Sequence, residues 1–322
     1  MPETIVVLDP IALQTAERMR NLLPDGFRLT HATERGEAHL QSILADAEYA
    51  ISGQIAVTGS LMRGARRLRL LHKWGVGIDN FDLDTARAIG LPVARTTGSN
   101  AVPVAEFTVG LMIATLRNLA DAAARLQHGE WRAIGAARPA LLLSGKTVGL
   151  VGFGATGQAT ARLLAGFGCP VLYSQRRRAD PAVEAALNAR HCALPELLAE
   201  ADIVSLHCPL TPQTAGMIDR TAFSAMKRTA ILVNVARGGV VVEPDLISAL
   251  QDNVIHGAAM DVFETEPLPH DSPLIAVDGL TITPHIAASS ADTFDKTIRH
   301  MFGNIACVSR GEPLPQRDLV TG

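Results

Sequence analysis

The chain has 322 residues, of which 48% are hydrophobic and 19% charged, and it contains 27 glycines and 18 prolines. This composition is typical of a folded protein with many short elements, and it excludes disordered, collagenous and coiled-coil chains. The net charge of −3 provides no general attraction to nucleic acid or to an anionic membrane, so we predict neither as a partner. The length predicts about two domains.

The cysteines and the N-terminal sequence indicate an ordinary cytoplasmic protein. Four cysteines lack the spacing of a zinc knuckle or a redox pair, which predicts reduced thiols and no metal site. The first residues, MPETIVVLDP, contain no basic region followed by a long apolar run. No apolar run approaches the roughly 18 residues of a membrane-spanning helix.

The first hundred residues alternate between strand and helix patterns. The apolar run at 4–9 predicts a buried strand that leads into a helix at 11–22. Further strands are predicted at 27–32, 47–52, 68–74 and 91–95, and a helix at 82–89. This alternation predicts an α/β unit with a parallel sheet.

A second alternating unit follows a long helical pattern. Residues 102–127 predict one helix, which ends at His128-Gly129. After Pro284 the pattern is helical again. Strands are predicted at 147–151, 171–174, 202–206, 230–235, 256–260 and 280–283.

A glycine-rich segment at 152–157 matches the fingerprint of a dinucleotide-binding loop. An apolar strand precedes it and a helical stripe closed by Gly168 follows it, as the fingerprint requires. Glycines there permit a tight turn, a close approach to a pyrophosphate and close packing of helix on strand. The alternative is a glycine-rich turn without a ligand. The predicted cofactor-binding residues of this loop are Gly152, Gly154, Ala155, Thr156 and Gly157.

The next strand, at 171–174, predicts which nicotinamide nucleotide is bound. In NAD enzymes an acidic residue after this strand accepts a hydrogen bond from the ribose 2′-hydroxyl. This sequence has Gln175, Arg176 and Arg177 instead, followed by a third arginine. Guanidinium groups suit a 2′-phosphate, so we predict a preference for NADP(H), with NAD possible. The alternative is a solvated basic turn.

Three further segments carry reactive groups directly after predicted strands: 233–239, 261–267 and 283–286. Open α/β sheets bind their ligands at the carboxyl ends of parallel strands. With these segments, the sequence resembles the D-isomer-specific 2-hydroxyacid dehydrogenase family over nearly its whole length. The motifs that carry the resemblance are, in chain order, GVG at 75–77, VAE at 104–106, GxGxxG at 152–157, HCPLT at 207–211, NxARG at 234–238, DVFxxEP at 261–267 and TPH at 283–285.

The resemblance implies roles for four of these residues. Arg237 would bind the substrate carboxylate and polarise the carbonyl, and His285 would be the acid/base. Glu266 would hydrogen-bond the imidazole, and Asp261 would hold the nicotinamide carboxamide. The residue types suit this chemistry by themselves, because arginine binds carboxylates with two hydrogen bonds and histidine titrates near neutrality. A neighbouring carboxylate also favours the charged imidazolium.

The resemblance also assigns residues that line the substrate and cofactor sites. Substrate contacts would come from Lys73, Trp74, Val76, Gly77 and Asn100. Further cofactor contacts would come from Pro209, Thr214, Val235 and Ala236. The implied fold is α/β, with two Rossmann-like doubly wound parallel-sheet domains. The cofactor domain, 101–286, would be inserted into a discontinuous substrate domain formed by 1–100 and 287–322.

The predicted function is NADPH-dependent reduction of a small 2-oxo acid, of the glyoxylate or hydroxypyruvate type, to the D-2-hydroxy acid. The expected partners are that small molecule and a second copy of the chain. Two alternatives remain: oxidation of a D-2-hydroxy acid, as in phosphoglycerate dehydrogenase, and nucleotide sensing by a corepressor-like binding protein. The intact set of Arg237, Glu266 and His285 favours an enzyme.

Overall fold

The computed structural model describes residues 2–131 and 138–321. The chain divides into two compact units, one formed by Met1–Asn100 with Ser290–Gly322 and the other by Ala101–Ser289. The boundaries predicted from the sequence lay after residues 100 and 286.

The first unit is built on a six-stranded sheet in the order β13-β5-β4-β3-β1-β2. All neighbours are parallel except β13, which pairs with β5 in the antiparallel direction. Its strands are β1 Glu3–Val7, β2 Phe27–His31, β3 Tyr49–Ser52, β4 Leu70–Lys73, β5 Val93–Arg95 and β13 Leu319–Thr321. Its helices are α1 Leu13–Arg20, α2 Glu37–Leu44, α3 Gly59–Gly64, α4 Leu83–Ala88 and α12 Ala291–Ser309.

The second unit is built on a seven-stranded, fully parallel sheet in the order β12-β11-β10-β9-β6-β7-β8. Its strands are β6 Val148–Val151, β7 Val171–Ser174, β8 Ala189–His191, β9 Ile203–Leu206, β10 Ile231–Asn234, β11 Gly257–Met260 and β12 Leu280–Ile282. Its helices are α5 Ala101–Leu116, α6 Leu119–Gln127, α7 Ala155–Leu164, α8 Pro181–Ala186, α9 Leu194–Glu200, α10 Arg220–Ala225 and α11 Glu243–Gln251. Short 3₁₀ turns lie at Ala165–Phe167, Gly238–Val240 and Pro273–Ala276.

The central strands of both sheets are buried on both faces. Every residue of β3, β4, β6, β9, β10 and β11 is buried, as expected where helices cover a parallel sheet on both sides. Helix α5 packs against α7 through the small side chains of Ala101, Ala105 and Ala159. The predicted fold class, two Rossmann-like parallel-sheet domains, is confirmed.

The prediction of one helix over 102–127 was wrong. The segment forms α5 and α6, whose axes differ by 67°. Between them, Asn118 adopts a left-handed backbone conformation with φ of 53°, and its side-chain amide donates a hydrogen bond to the carbonyl of Arg138 at 3.1 Å. The apolar periodicity continues through this position, so the pattern could not reveal the break. The short strands β8 and β13 were also not predicted.

Within 2–131 and 138–321, no single helix is long and apolar enough to cross a membrane; α5 and α6 meet that test only as a bent pair. The same residues contain no group of three or more histidine, cysteine, aspartate or glutamate side chains that could hold a metal ion.

Candidate active site

The glycine-rich loop links β6 to α7 and leaves space for an anion. Gly152 has φ of +96°, and a Cβ there would lie 2.7 Å from the backbone carbon of His207. A Cβ on Gly157 would lie 2.4 Å from the Gly152 carbonyl oxygen, so this glycine permits α7 to pack on the turn. By contrast, a Cβ on Gly154 would meet nothing within 4 Å. Helix α7 begins directly after this unobstructed glycine, at Ala155 and Thr156, and its first-turn N–H groups suit a pyrophosphate.

The turn after β7 holds Gln175 between two backbone groups. Its Oε1 accepts a hydrogen bond from the Phe153 N–H at 3.0 Å, and its Nε2 donates to the Arg177 carbonyl at 2.7 Å. Arg176 and Arg177 are exposed, and neither side chain has a hydrogen-bond or ion-pair partner in the part of the chain that the structure describes. Two cations thus lie beside the glycine-rich loop.

The other predicted cofactor residues lie on turns after β9 and β10. The Thr214 hydroxyl donates to the Pro209 carbonyl at 2.7 Å and accepts from the Thr211 N–H at 2.8 Å, which closes the turn. Val235 and Ala236 follow β10 directly. The sequence prediction did not single out Asn234, although its motif contained it.

Asn234 fixes the segment that carries Arg237. It is fully buried, its Oδ1 accepts from the Ala236 N–H at 3.0 Å, and its Nδ2 donates to the Arg237 carbonyl at 3.0 Å. The Arg237 guanidinium donates through Nη1 to the Ala236 carbonyl at 2.7 Å. This arginine is therefore held at the end of β10 by local contacts.

His285 and Glu266 form a hydrogen-bonded pair. His285 Nδ1 and Glu266 Oε2 are 2.6 Å apart, with 34% and 30% of their side chains exposed. The other carboxylate oxygen, Oε1, accepts from the Phe263 N–H at 3.0 Å. Burial acts to raise the pKa of Glu266, but the hydrogen bonds from His285 and Phe263 and the positive charge of Arg237 outweigh it and hold that pKa below its usual value. Glu266 therefore interacts with both of the other predicted catalytic residues, His285 and Arg237.

Asp261 anchors the segment that carries His285. Its buried carboxylate accepts from the Thr283 hydroxyl at 2.6 Å, the Ile286 N–H at 3.0 Å and the Ala287 N–H at 2.9 Å. His285, between these donors, has φ of 54°, a left-handed conformation that is uncommon outside glycine. The family resemblance implied only that Asp261 contacts the cofactor. The observed hydrogen bonds show that it also has a structural role.

The predicted substrate residues of the first unit follow β4. Lys73 is buried, and its ammonium donates to Asn80 Oδ1 at 2.7 Å and to the Gly53 carbonyl. Trp74 packs edge-on against Phe294, with ring centroids 6.0 Å apart. Donors of the Lys73 ammonium are thus engaged inside this unit.

The loop that follows, Gly75–Gly77, is held by Thr96. The Thr96 hydroxyl accepts from the Gly75 N–H at 3.0 Å and donates to the Gly75 carbonyl at 3.0 Å. Val76, Gly77 and Asn100 are half-buried. Their contacts to a substrate stay a prediction.

The parallel sheets, the glycine-rich loop and the Arg–Glu–His cluster at the strand ends define a nicotinamide-dependent dehydrogenase. Residues 109–287, more than half of the chain, match the model of the "D-isomer specific 2-hydroxyacid dehydrogenase, NAD binding domain". The chain belongs to this family, as the sequence predicted. It is an oxidoreductase that acts on CH–OH donors.

Individual relatives agree with this assignment. The chain is 39% identical over 263 residues to a glyoxylate/hydroxypyruvate reductase B of Yersinia pestis, covering 81% of this chain and 80% of the relative. It superposes on a D-lactate dehydrogenase from Aquifex aeolicus, complexed with NAD and lactic acid, with a TM-score of 0.87 at 25% identity over 99% of each chain. An NAD-dependent formate dehydrogenase from Staphylococcus aureus, in complex with NAD, gives a TM-score of 0.87 at 28% identity over 99% of each chain.

Proposed function

We propose that this protein uses NADPH to reduce a small 2-oxo acid, of the glyoxylate or hydroxypyruvate type, to the D-2-hydroxy acid. The observation that supports the reaction most is the 2.6 Å contact between His285 Nδ1 and Glu266 Oε2. With Nδ1 facing a carboxylate, Nε2 is the ring nitrogen available to hold a proton for a substrate.

Each member of the cluster has a distinct task in this proposal. The nicotinamide, when bound, supplies the hydride that the carbonyl carbon accepts. His285 gives its Nε2 proton to the carbonyl oxygen, and Glu266 stabilises the imidazolium before that transfer. Arg237 binds the substrate carboxylate and stabilises the charge that develops on the carbonyl oxygen. Asn234 and Asp261 hold the segments that carry Arg237 and His285.

Two observations favour a small substrate of this type. The relative from Yersinia pestis carries the name glyoxylate/hydroxypyruvate reductase, at 39% identity. In addition, the Lys73 ammonium donates to Asn80 and to the Gly53 carbonyl, so at least two of its N–H donors already have acceptors inside the protein. A second anionic group on the substrate would have to compete with these acceptors for the N–H donors of Lys73. Glu266 also argues against formate oxidation. That reaction transfers no proton, so it does not need a carboxylate that stabilises a protonated imidazole.

The test of the function is a spectrophotometric panel of 2-oxo acids, each assayed with NADPH and with NADH. We expect the highest kcat/KM with glyoxylate or hydroxypyruvate. Higher values with bulky or dianionic 2-oxo acids would contradict the substrate assignment. Absence of turnover with every acid would favour the nucleotide-sensing alternative.

The preference for NADPH is supported by Arg176 and Arg177, which are exposed beside the glycine-rich loop with no acidic residue at position 175. Arg176→Ala should raise the Michaelis constant for NADPH at least about tenfold, because a charge-assisted hydrogen bond to phosphate is lost. The constant for NADH should change little. Equal effects on both nucleotides would contradict the preference.

We also infer a homodimer, with α6 in the interface. No residue of this helix is buried. Leu119 and Leu126, which are 50% and 54% exposed, lie two turns apart on one face, and Trp131 just beyond is 88% exposed. Exposed apolar side chains grouped in this way are typical of a protein interface. Sedimentation equilibrium should give twice the monomer mass, and a monomeric mass at micromolar concentration would contradict the inference.

A further inference from the structure

The turn that joins β7 to α8 carries three consecutive arginines, and they differ in their surroundings. Arg178 forms an ion pair with Glu184 on α8: its Nε donates to Oε1 at 2.9 Å and its Nη2 to Oε2 at 2.8 Å. Arg176 and Arg177 form no such pair with any described residue. One arginine is therefore used inside the protein, and two are available to a ligand.

Glu184 is an unusual partner for a surface arginine, because its side chain is only 9% exposed. It also accepts a hydrogen bond from the Tyr173 hydroxyl, and that hydroxyl accepts one from the Ala179 N–H at 2.9 Å. The Arg178 guanidinium, followed by the Tyr173 hydroxyl, lowers the pKa of Glu184 to about 2. The carboxylate is thus ionised at neutral pH and links the end of the turn to β7.

The same contacts continue to the glycine-rich loop. The buried Tyr173 ring stacks on Phe153, with centroids 4.2 Å apart and an interplanar angle of 19°. Gln175 ties the other end of the turn to the same loop through the Phe153 N–H, and also donates to the Arg177 carbonyl. The backbone of Arg176 and Arg177 therefore lies between two anchors, Gln175 on one side and the Glu184 cluster on the other.

We propose that Glu184 is a positioning residue for cofactor specificity: by holding Arg178 and Tyr173, it fixes the 175–180 turn so that Arg176 and Arg177 can bind the 2′-phosphate of NADPH. This inference rests on the NADPH preference proposed above. It gives Arg178 a structural task and leaves phosphate binding to the two arginines before it. Preorganised donors lose less entropy on binding, so a fixed turn increases affinity for the phosphate.

Substitution of Glu184 distinguishes this role from a direct electrostatic effect, because the two predict opposite changes in NADPH affinity. A carboxylate near the turn repels a phosphate, so removing its charge would favour NADPH if the charge acted only through space. If Glu184 acts by holding the turn, its removal weakens NADPH binding instead. NADH has no 2′-phosphate, so its affinity should remain close to that of the wild type. A general loss of structure would weaken both nucleotides alike.

The experiment is a fluorescence or calorimetric titration of NADPH and NADH against Glu184→Gln, Arg178→Ala and Arg176→Ala, with thermal unfolding measured for each. Glu196→Gln is the matched control, since Glu196 pairs with Arg190 on the surface of the same unit. We expect Glu184→Gln and Arg178→Ala to lower the ratio of NADPH to NADH affinity about tenfold each. Combining Glu184→Gln with Arg178→Ala should lower this affinity ratio no further than either substitution alone, because both break the same contact. Glu196→Gln should leave the ratio unchanged.

The outcomes distinguish this inference from the proposal on which it rests. If Arg176→Ala lowers the ratio but Glu184→Gln leaves it unchanged or raises it, the positioning role of Glu184 is wrong and the NADPH preference survives. A lowered ratio in Arg178→Ala without one in Glu184→Gln would make Arg178 a phosphate ligand and would also overturn the inference. Equal weakening of both nucleotides by Glu184→Gln would reduce its role to stability. If Arg176→Ala has the same ratio of NADPH to NADH affinity as the wild type, the proposed NADPH preference itself is wrong.

Discussion

His285 combines a half-buried imidazole with a constrained backbone. Its left-handed φ of 54° costs free energy in a residue with a side chain, on the order of 1–3 kcal/mol. The hydrogen bonds from Ile286 and Ala287 to Asp261 offset that cost and fix the segment on both sides. The pair with Glu266 then fixes the orientation of the ring. The imidazole is thus held by two carboxylates of the 261–267 segment, one that fixes its backbone and one that fixes its ring, as a proton donor requires.

His285→Gln should lower kcat by about 100- to 10,000-fold, because glutamine keeps polar contacts but cannot transfer a proton. NADPH affinity should stay within about twofold, since the imidazole contributes only to the chemical step. Steady-state kinetics and a fluorescence titration measure the two quantities. His270→Gln, on an exposed residue of the same unit, is the control and should behave as the wild type. Wild-type turnover in His285→Gln would exclude the acid/base role.

The elements that carry Arg237 and Glu266 are packed backbone to backbone. A Cβ on Gly238 would lie 1.9 Å from the carbonyl carbon of Phe263, and Glu243 at the start of α11 accepts from the Glu264 N–H at 2.7 Å. The turn after β10 and the loop after β11 therefore position each other. The sequence showed both segments, but it could not show this contact, since it depends on how neighbouring strands end in space.

Gly238→Ala should displace one of these segments, because the colliding atoms belong to the backbone and cannot rotate away. We expect the free energy of unfolding to fall by about 1–3 kcal/mol. The value of kcat/KM should fall by a larger fraction of its wild-type value than the free energy of unfolding does. Gly239→Ala is the matched control, because its Cβ would meet only the end of the Leu210 side chain, at 3.3 Å. Denaturant unfolding and steady-state kinetics check both variants. Equal behaviour of the two would show that the close packing does not matter for activity.

Distant parts of the chain meet in the core of the first unit. The fully buried His72, on β4, lies with its Nε2 3.0 Å from Asn304 Nδ2 on α12. Asn304 also donates to Asp318 at 3.4 Å, and His300 lies 2.7 Å from the same carboxylate. The N-terminal and C-terminal segments of this unit are therefore joined by a polar network. Burial lowers the pKa of His72 from 6.5 to about 4.

This lowered pKa predicts an acid-sensitive stability. The folded protein keeps His72 neutral while the unfolded chain protonates it, so its contribution is complete above pH 6.5 and is lost as the pH falls towards 4. The loss amounts to about 3 kcal/mol, since one pKa unit corresponds to about 1.4 kcal/mol. Urea unfolding between pH 7 and pH 5 should show a smaller decline for His72→Gln than for the wild type. His128→Gln, on an exposed residue, should follow the wild type. If the free energy of unfolding declined equally with pH in His72→Gln and in the wild type, the prediction would be contradicted.

The fold class, the glycine-rich loop and the family could all be predicted from the amino-acid sequence. These depend on local signals: apolar runs with strand length, glycines at a fixed spacing and a series of motifs in order. The sequence also identified Arg237, Glu266 and His285 as candidates, because each follows a predicted strand and parallel strands end at one edge of a sheet.

The tertiary structure determines how these residues are held and which charges a ligand can reach. It divided one long helical pattern at Asn118, engaged the Lys73 ammonium within its own unit, and separated Arg178 from Arg176 and Arg177 by pairing it with Glu184. None of these outcomes is encoded in local periodicity. Hydrogen bonding and burial depend on which groups the fold brings within about 3 Å, and residues far apart in the chain supply most of those partners.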